Sequence, residues 1–407
     1  MAREHKTYVF IYLPGGTAAV PAGLFTHYPD DGIGRFAYGN RYLERPNALP
    51  VDPVSLPLGG TPRDVATNGG LYGAFRDSSP DYWGRLVFAA EARMPPEAMN
   101  EVDYLLRANA SRIGCLDFRA SLDQGEPVSG PPGFQSLAGL LDAASDLAAG
   151  KQVRHDLLRL LEQGSSVGGA RPKCTVELDE TLWIAKFPAK DDTVNFPMVE
   201  YATMTLARIC GISVPAVRIV TVGGRDVLLV KRFDRQKARS GYQRFGFLSA
   251  LSLMEWDERD RAQWSYPVLA DRMRATILAQ RAQTVELFRR MLFNVLCRNT
   301  DDHPRNHGFL WGKRATALSP AYDIVPTLAR SGVTTEFALS MSLGDQGREA
   351  SLANALSMHA RFGLTRSAAE LLIDDMRKCV GQWERHFTAC GVSEANREAL
   401  RASFAIS

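Results

Sequence analysis

The strongest constraint on the fold of this chain lies in residues 284–311, where a helical pattern ends in a densely polar loop followed by an apolar strand. In TVELFRRMLFNVLCRN, Leu287, Met291 and Val295 recur at helical spacing and predict one buried helix face. The next residues, NTDDHPRNHGFLW, concentrate carboxylates, amides and imidazoles, and Pro304 prevents the helix from continuing. This succession predicts a helical domain that presents a polar loop where a core helix ends.

Length, composition and cysteine usage narrow the class of protein. A chain of 407 residues is too long for one ordinary core, so two or more domains are expected. A net charge of +3 argues neither for nor against a polyanionic partner. Six scattered cysteines without a CxxC pair are typical of buried thiols in a reducing compartment. The apolar run before Pro14 is too short for a signal peptide or a membrane span, so we expect a cytoplasmic protein without a membrane segment.

The order of predicted elements divides the chain into three parts. The first third is rich in strand-like runs such as KTYVFIYL, and SSPDYWGRLVFAAEAR predicts a helix with Ser78 or Ser79 as its N-cap. A segment rich in Pro, Gly and Ser at 121–135 marks a domain boundary. We therefore predict domains at 1–120, 136–235 and 236–407, the last of them mostly helical.

Two hairpins and one helix are predicted in the middle part. KCTVELDETLWIAKFP predicts two strands around Asp179-Glu180, and VRIVTVGGRDVLLVKRFD predicts a hairpin that turns at Gly223-Gly224. Between them, MVEYATMTLARICG predicts a helix that stops at Gly211. The predicted buried face of this helix comprises Ala202, Leu206 and Ile209.

The polar loop carries a spacing that suggests chemistry. Asp301 and Asn306 have four residues between them, as in kinase catalytic loops, where the Asp accepts the proton of the acceptor hydroxyl and the Asn binds Mg²⁺. Asp323, in SPAYDIVPT, supplies a second carboxylate for a metal ion. Two other interpretations exist. The string can be a polar helix end without chemistry, or His303 and His307 can be a metal-ligand pair, although Pro304 between them disfavours a helix.

Upstream residues supply further parts of a nucleotide site in the order that a kinase needs. SVGGARPK is a glycine-rich loop whose backbone N–H groups can bind phosphates. Lys186 ends the strand WIAKFP, Glu200 belongs to the next helix and can hold that lysine, and LLVKRFD is an apolar strand that runs into a polar exit. Each piece alone is more often an ordinary loop, strand end or helix start, but their order favours a nucleotide site.

Together, SVGGARPK, WIAKFP, VKRFDR, NTDDHPRNHGF and PAYDI resemble the HipA family of bacterial serine/threonine kinases, the toxins of HipBA toxin–antitoxin systems. The similarity is collinear over about 160–330, and SSPDYWGR with DYLLRANASRIGCLDF resembles the β-rich domain that precedes the family's kinase core. The resemblance implies an α+β, two-lobed protein-kinase-like fold with an N-terminal β-rich domain and a helical C-terminal lobe.

The resemblance also implies roles for individual residues. Asp301 is the expected catalytic base, Asn306 and Asp323 the expected Mg²⁺ ligands, and His303 and Arg305 further members of the catalytic loop, with Arg305 expected to contact phosphate. The other expected ATP contacts are the phosphate-loop residues Gly168, Gly169, Ala170, Arg171 and Lys173, then Lys186 held by Glu200, and the hinge residues Lys231, Arg232 and Phe233. Lys231 departs from the family pattern, because the best-known member has an acidic residue there.

The function implied is an ATP- and Mg²⁺-dependent protein kinase that phosphorylates an aminoacyl-tRNA synthetase and autophosphorylates on Ser166, with Ser165 as the second choice. A HipB-like helix-turn-helix antitoxin is the implied partner, and DNA would be reached only through it. RANASRIG lacks the acidic residues expected in this N-terminal motif, so the partner surface is expected to differ. Two alternatives stay open, namely a small-molecule phosphotransferase of the aminoglycoside type and a mainly non-catalytic corepressor.

Overall fold

The computed structural model describes residues 4–108, 111–125, 130–165, 168–276, 281–312, 316–328 and 337–404. Within these ranges, no helix combines the length and the apolar character needed to cross a membrane. All six cysteines lie in the described ranges, and each is a free thiol.

The described chain forms two compact units. The first unit comprises Met1–Lys190, Leu229–Leu248 and Leu310–Arg314, and the second comprises Asp191–Leu228, Ser249–Phe309 and Ala315–Ser407. The first 120 residues therefore share one unit with the glycine-rich loop. The finer division at 1–120, 136–235 and 236–407 stays a prediction.

The first unit is built on an antiparallel sheet with strand order β4-β3-β2-β1-β5. The segment KTYVFIYL forms a strand, as predicted, and lies between β2 and β5 in this sheet. The strands are β1 (His5–Tyr12), β2 (Ala19–Tyr28), β3 (Ile33–Tyr38), β4 (Arg63–Val65) and β5 (Leu116–Arg119). The helices of this unit are α1 (Asn40–Leu43), α2 (Gly73–Ser78), α3 (Tyr82–Ala92), α4 (Glu101–Arg107), α5 (Leu137–Ala148) and α6 (His155–Gly164).

Aromatic side chains fill the core on one side of this sheet. Phe75 of α2 packs edge-to-face on Phe25 of β2 and Phe118 of β5, with ring centroids 5.2 Å apart in both pairs. All three rings are buried. Edge-to-face pairs of this kind add to the stabilisation from burial alone, so α2 is held firmly on the sheet.

Helix α3 begins later than the sequence predicts. Ser78 is the last residue of α2, and the N-cap of α3 is Asp81 rather than Ser78 or Ser79. The prediction was wrong because a short helix already occupies residues 73–78, which the capping pattern alone does not reveal.

A four-stranded sheet with order β6-β7-β9-β8 comprises β6 (Lys173–Leu178), β7 (Thr181–Lys186), β8 (Val217–Val222) and β9 (Arg225–Lys231). Both predicted hairpins are present. Asp179 and Glu180 have φ of 49° and 54°, and Gly223 and Gly224 have φ of 55° and 74°. Positive φ at both central residues is typical of the two-residue turns that match the twist of antiparallel strands. A hairpin of β10 (Arg235–Ala238) and β11 (Gly241–Arg244) follows.

The second unit is mostly helical, as predicted. Its helices are α7 (Phe196–Ile209), α8 (Ala250–Leu253), α9 (Tyr266–Thr276), α10 (Arg281–Leu296), α11 (Leu352–Ser357), α12 (Arg366–Val380), α13 (Trp383–Ala389) and α14 (Glu394–Leu400). Apart from this helical set, a small sheet of order β12-β13-β14 comprises Gly246–Ser249, Gly308–Trp311 and Ala317–Leu318. Helix α10 packs against α9 and α12, and Leu287, Met291 and Val295 are buried in it, as predicted.

Helix α7 differs from its prediction at one position. Ala202 and Leu206 are buried, but Ile209 is 64% exposed. Ile209 is the last helical residue, and the chain reverses directly after it at Gly211, whose φ is +82°. The helix ends before its buried face returns at this position, which periodicity alone cannot indicate.

Candidate functional site

The glycine-rich loop joins α6 to β6 in the first unit and is held in a tight conformation. Gly169 has a φ of +117°, a backbone conformation that is strained for any residue with a side chain. Lys173 is 5% exposed and donates from Nζ to the carbonyl oxygen of Gly168 at 2.8 Å. Gly168, Ala170 and Arg171 are exposed. The loop thus presents its outer face to solvent and keeps Lys173 beneath it.

Two lysines of the predicted ATP site lie opposite each other in the β6–β7 hairpin. Lys173 pairs with Lys186 in the strand register. Directly opposite residues of an antiparallel pair place their side chains on the same face of the sheet, where like charges repel. A bound anion would relieve that repulsion, so this end of the hairpin is suited to a phosphate.

The sequence interpretation did not assign loop contacts to the segment SSPDYWGR (residues 78–85). The backbone N–H of Gly169 donates to Oδ2 of Asp81 at 3.1 Å, and Trp83 N donates to Gly169 O at 3.3 Å. The Trp83 indole N–H also donates to Lys173 O at 2.8 Å. The motif itself was visible in the sequence, but its contact with a loop 88 residues away was not.

Arg232, in the predicted hinge, is a structural residue as far as its side chain is concerned. It is 2% exposed, pairs with Asp234 at 2.8 Å, and donates to the carbonyl oxygens of Ser111 and Arg112. Although burial alone would raise it, the charges of Arg232 and Arg235 lower the pKa of Asp234 to about 2. Any nucleotide contact made by Arg232 therefore belongs to its backbone.

The other two hinge residues are more accessible. Lys231 ends β9 and is exposed, and the ring of Phe233 is half-buried, 6.4 Å from that of Phe247 between centroids.

The two candidate phosphorylation sites have different standing. Ser166 lies outside the described residues. Ser165 is fully buried, and its Oγ makes no hydrogen bond to any residue in the described ranges. In this conformation Ser165 is not accessible to a second enzyme molecule.

In the second unit, the polar loop after α10 forms a compact turn. Arg298 adopts a left-handed φ of 49°, which ends the helix, and Pro304–Asn306 form a single 3₁₀ turn. Asn306 donates from Nδ2 to the carbonyl oxygen of Asp301 at 2.8 Å, and its backbone N–H donates to His303 O at 2.8 Å. The side-chain amide nitrogen is thus engaged within the loop, and the amide oxygen is the atom suited to a metal ion.

Asp301 projects from this loop and is 79% exposed. Its Oδ1 lies 3.7 Å from Nε2 of His303. Partial desolvation raises the pKa of Asp301, His303 lowers it, and the carboxylate of Asp323 raises it again. Asp301 and Asp323 therefore act on each other electrostatically, and a cation between them would relieve the repulsion.

The position of Asp323 is fixed by its backbone conformation and by a hydrogen bond of its neighbour. Asp323 has a φ of +59°, which is uncommon outside glycine, and its neighbour Tyr322 donates from its hydroxyl to Arg305 O at 2.7 Å. This bond ties the segment that carries Asp323 to the loop that carries Asp301 and Asn306. Unusual backbone conformations of this kind cluster at functional sites.

The residues present fit Mg²⁺ held together with a nucleotide rather than a metal ion held by protein alone. In the described ranges, no group of three or more His, Cys, Asp or Glu side chains is arranged for a metal ion. Mg²⁺ is commonly bound by one or two protein oxygens and completed by substrate phosphates and water. Asp323 and Asn306 supply such oxygens.

Two residues of the loop, Asp302 and His307, belong to a buried polar cluster that the sequence alone did not predict. Asp302 is fully buried, and it accepts the hydroxyl of Tyr266 at 2.7 Å and the backbone N–H of Ser340 at 2.6 Å. Nε2 of His307 lies 3.1 Å from the same hydroxyl. Burial raises the pKa of Asp302 to about 7 and lowers that of His307 to about 3. His307 is therefore neutral and buried, and its Nε2 already has the Tyr266 hydroxyl as a partner; this engagement disfavours the metal-ligand interpretation of His303 and His307.

The remaining predicted residues are placed as follows. Glu200 is a buried residue of α7, and Arg305 lies 3.5 Å from Oε1 of Glu258, measured from Nη1. Both belong to the second unit, whereas Lys186 belongs to the first. The pairing of Glu200 with Lys186 stays a prediction.

Comparison with known proteins decides the family. Residues 165–383 match the family of the HipA-like C-terminal domain. The chain belongs to the HipA family. The match begins at the glycine-rich loop and contains every predicted nucleotide-site residue, so the motifs quoted above lie within the part of the chain that defines the family.

Three curated relatives are described as putative kinases. Y4mE of Sinorhizobium fredii (strain NBRC 101917 / NGR234) is 26% identical over 351 residues, 78% of this chain and 77% of the relative. Y4dM of the same strain is 30% identical over 162 residues, and a protein of Haemophilus influenzae (strain ATCC 51907 / DSM 11121 / KW20 / Rd) is 26% identical over 182 residues. The matched segments span only 37% and 53% of the latter two proteins.

A solved structure shares the fold along almost the whole chain. This structure comes from the complex of Shewanella oneidensis MR-1 HipA, HipB and operator DNA. The two chains superpose with a TM-score of 0.68 and are 16% identical. The match covers 98% of this chain and 95% of the chain in that complex. The predicted α+β, two-lobed kinase-like fold with its β-rich N-terminal part is thereby confirmed.

Proposed function

We propose that this HipA-family protein is an ATP- and Mg²⁺-dependent serine/threonine protein kinase. The observation that carries the proposal is the arrangement of Asp301, Asn306 and Asp323 in the second unit. One loop fixes the amide of Asn306 against the backbone of Asp301, and the carboxylate of Asp323 acts electrostatically on that of Asp301. A base, an amide oxygen and a second carboxylate in this arrangement are the parts that phosphoryl transfer needs.

Each residue has a defined task in the proposed reaction. Asp301 accepts the proton of the acceptor hydroxyl. At the same time the hydroxyl oxygen forms a bond to the γ-phosphorus, and the bond between that phosphorus and the ADP oxygen breaks. Asn306 and Asp323 would hold Mg²⁺, which would neutralise charge on the phosphates. In the first unit, Gly168, Gly169, Lys173 and Lys186 bind phosphate, and the backbone at 231–233 contacts adenine.

Replacing Asp301 with alanine tests the proposal. We expect Asp301→Ala to lower phosphoryl transfer from radiolabelled ATP by at least about 100-fold, since general bases contribute that much or more. Binding of Mg-ATP should change little, because the base acts on the acceptor hydroxyl. Asp374→Ala, which removes an exposed carboxylate from α12 in the same unit, is the matched control. Near wild-type turnover in Asp301→Ala would refute the assignment.

We further propose that the kinase is the toxin of a toxin–antitoxin pair and acts in the cytoplasm. Support comes from family membership and from the shared fold with a chain of a complex that contains HipA, HipB and operator DNA. The expected partner is a HipB-like helix-turn-helix protein, the expected substrate an aminoacyl-tRNA synthetase, and the expected autophosphorylation site Ser166. DNA would be bound through the partner, so a corepressor role is compatible with kinase activity.

Growth and labelling experiments separate these possibilities. Expression of the wild-type protein should arrest bacterial growth, Asp301→Ala should not, and co-expression of a neighbouring helix-turn-helix gene should restore growth. Incubation with ATP should place phosphate on Ser166 in the wild type and not in Asp301→Ala, as read by mass spectrometry. Phosphorylation of aminoglycosides but not of any protein in a cell extract would instead favour the small-molecule phosphotransferase.

A further inference from the structure

Asp81 occupies an unusual position at the start of α3. It is the N-cap of this 11-residue helix, with extended backbone angles of −88° and −171°, yet its side chain makes no hydrogen bond to the helix. An N-cap aspartate ordinarily accepts a backbone N–H of the first helical turn and stabilises the helix. Here Oδ2 instead accepts the N–H of Gly169 in the glycine-rich loop at 3.1 Å.

The loop contacts the start of α3 through several groups. The carbonyl oxygen of Gly169 accepts the N–H of Trp83, so both backbone groups of this glycine are bound by the helix start. The fully buried Trp83 also donates its indole N–H to Lys173 O. A Cβ at Gly84 would lie 2.4 Å from the carbonyl oxygen of Ser165, so only glycine permits this close approach. The contact with Asp81 is thus part of a fitted surface.

The partner that Asp81 takes is the kind of group that binds phosphate in a glycine-rich loop. Backbone N–H groups freed by glycine bind anionic oxygens, and a carboxylate oxygen satisfies the same donor as a phosphate oxygen does. One N–H cannot serve both fully, and two anions at one donor repel each other. We propose that the Asp81 carboxylate competes with the nucleotide phosphates for the N–H of Gly169.

The helix α3 offers the Asp81 carboxylate other donors when phosphate displaces it from Gly169. When phosphate takes the Gly169 N–H, the Asp81 carboxylate can turn to the first-turn N–H groups of its own helix and act as an ordinary N-cap. The side chain therefore has a partner in either state, and its displacement does not leave an unsatisfied charge. Asp81 in this proposal is a positioning residue for the phosphate loop, and the inference rests on the proposed ATP-binding function.

The competition between Asp81 and the nucleotide phosphates is tested in the full chain by a substitution that removes the charge of Asp81 and keeps its shape. Asp81→Asn keeps an oxygen that can accept the Gly169 N–H but lacks the negative charge. We expect it to bind Mg-ATP about tenfold more tightly than the wild type in titration calorimetry at low salt, and the difference should narrow as salt screens the charge. Asp31→Asn, an exposed carboxylate in the β2–β3 turn of the same unit, is the matched control and should bind as the wild type does.

Hydrogen exchange tests the contact itself without nucleotide. Asp81→Ala removes the acceptor of the Gly169 N–H, so amides of residues 168–173 should exchange faster than in the wild type, whereas those of β1 and β2 should not change. Unchanged exchange in the loop would overturn the proposal, as would an Asp81→Asn protein that binds Mg-ATP no more tightly than the wild type. If wild type and both Asn variants all fail to bind Mg-ATP while loop exchange responds as expected, it is the proposed ATP-binding function that has failed.

Discussion

At the scale of single residues, two buried groups of the polar loop after α10, Asp302 and His307, have opposite effects on the pH dependence of stability. The pKa of Asp302 is raised to about 7, so the folded protein keeps a proton there that the unfolded chain loses above about pH 4. This makes stability fall as pH rises from about 4 to 7. The pKa of His307 is lowered to about 3, so between about pH 3 and 6.5 the unfolded chain binds a proton that the folded protein does not bind. Stability therefore rises as pH rises over nearly the same range.

We predict that the contributions of Asp302 and His307 to the pH dependence of the free energy of unfolding nearly cancel between about pH 4 and 6.5. In Asp302→Asn only the contribution of His307 remains, so the free energy of unfolding should fall by roughly 4 kcal/mol on acidification across this window. In His307→Phe only the contribution of Asp302 remains, so the free energy of unfolding should fall by a similar amount as pH rises. Urea unfolding at several pH values measures both slopes, and parallel curves for all three proteins would contradict the assignment.

At the scale of elements, the segment after β9 is held in place by a buried network of charged side chains. Asp234 pairs with Arg232 and Arg235, and its Oδ2 also accepts the N–H of Gly114 at 2.9 Å. Arg235 in turn donates to the carbonyl oxygens of Gly114 and Arg112. The predicted adenine hinge is therefore tied to residues 111–114 by a buried, hydrogen-bonded network, and its position depends on that network being complete.

Removing the central carboxylate should destabilise this network strongly. We predict that Asp234→Asn costs about 3–5 kcal/mol of folding free energy, because it leaves two buried guanidinium groups without their counter-charge. Asp64→Asn is the matched control, since Asp64 forms an ion pair with Arg35 in which both side chains are half exposed, and it should change stability little. Denaturant melts of the three proteins give the comparison, and equal effects of the two substitutions would show that the buried network carries no special weight.

At the scale of the whole molecule, the N-terminal part is not separable from the region that defines the family. The family match begins at residue 165, yet the loop just after it is contacted by Asp81 and Trp83, and the hinge by residues 111–114. All of these contacts lie within the first compact unit. The N-terminal residues therefore contribute to the candidate nucleotide site.

We predict that a fragment of residues 121–407 does not bind Mg-ATP, because the glycine-rich loop and the hinge lose their supporting contacts. Hydrogen exchange should show lost protection in residues 168–190 and 229–248, whereas α10 and α12 of the second unit should stay protected. That pattern separates a local loss from global unfolding. A fragment with the Mg-ATP affinity of the full chain would refute this dependence.

The local sequence by itself determined the features that depend on near neighbours. The β6–β7 hairpin, the stop of α7 at Gly211 and the buried face of α10 follow from turn chemistry and periodicity, in which each residue interacts with others only a few positions away. The spacing of Asp301 and Asn306 was equally readable, because one short loop holds both. Where such signals were incomplete, prediction was wrong, as for the N-cap of α3 and the exposure of Ile209.

Only the tertiary structure decided which distant residues meet. Nothing near Asp81 in the chain indicates that its carboxylate leaves its own helix for Gly169, and nothing near Arg232 indicates that its side chain is buried among the carbonyl groups of 111–114. The partners of Asp302, which are Tyr266 and Ser340, lie 36 and 38 residues away. Such contacts form because burial removes water from polar groups, which must then find partners wherever the packed core brings them. That choice depends on the whole packing arrangement, which no local pattern contains.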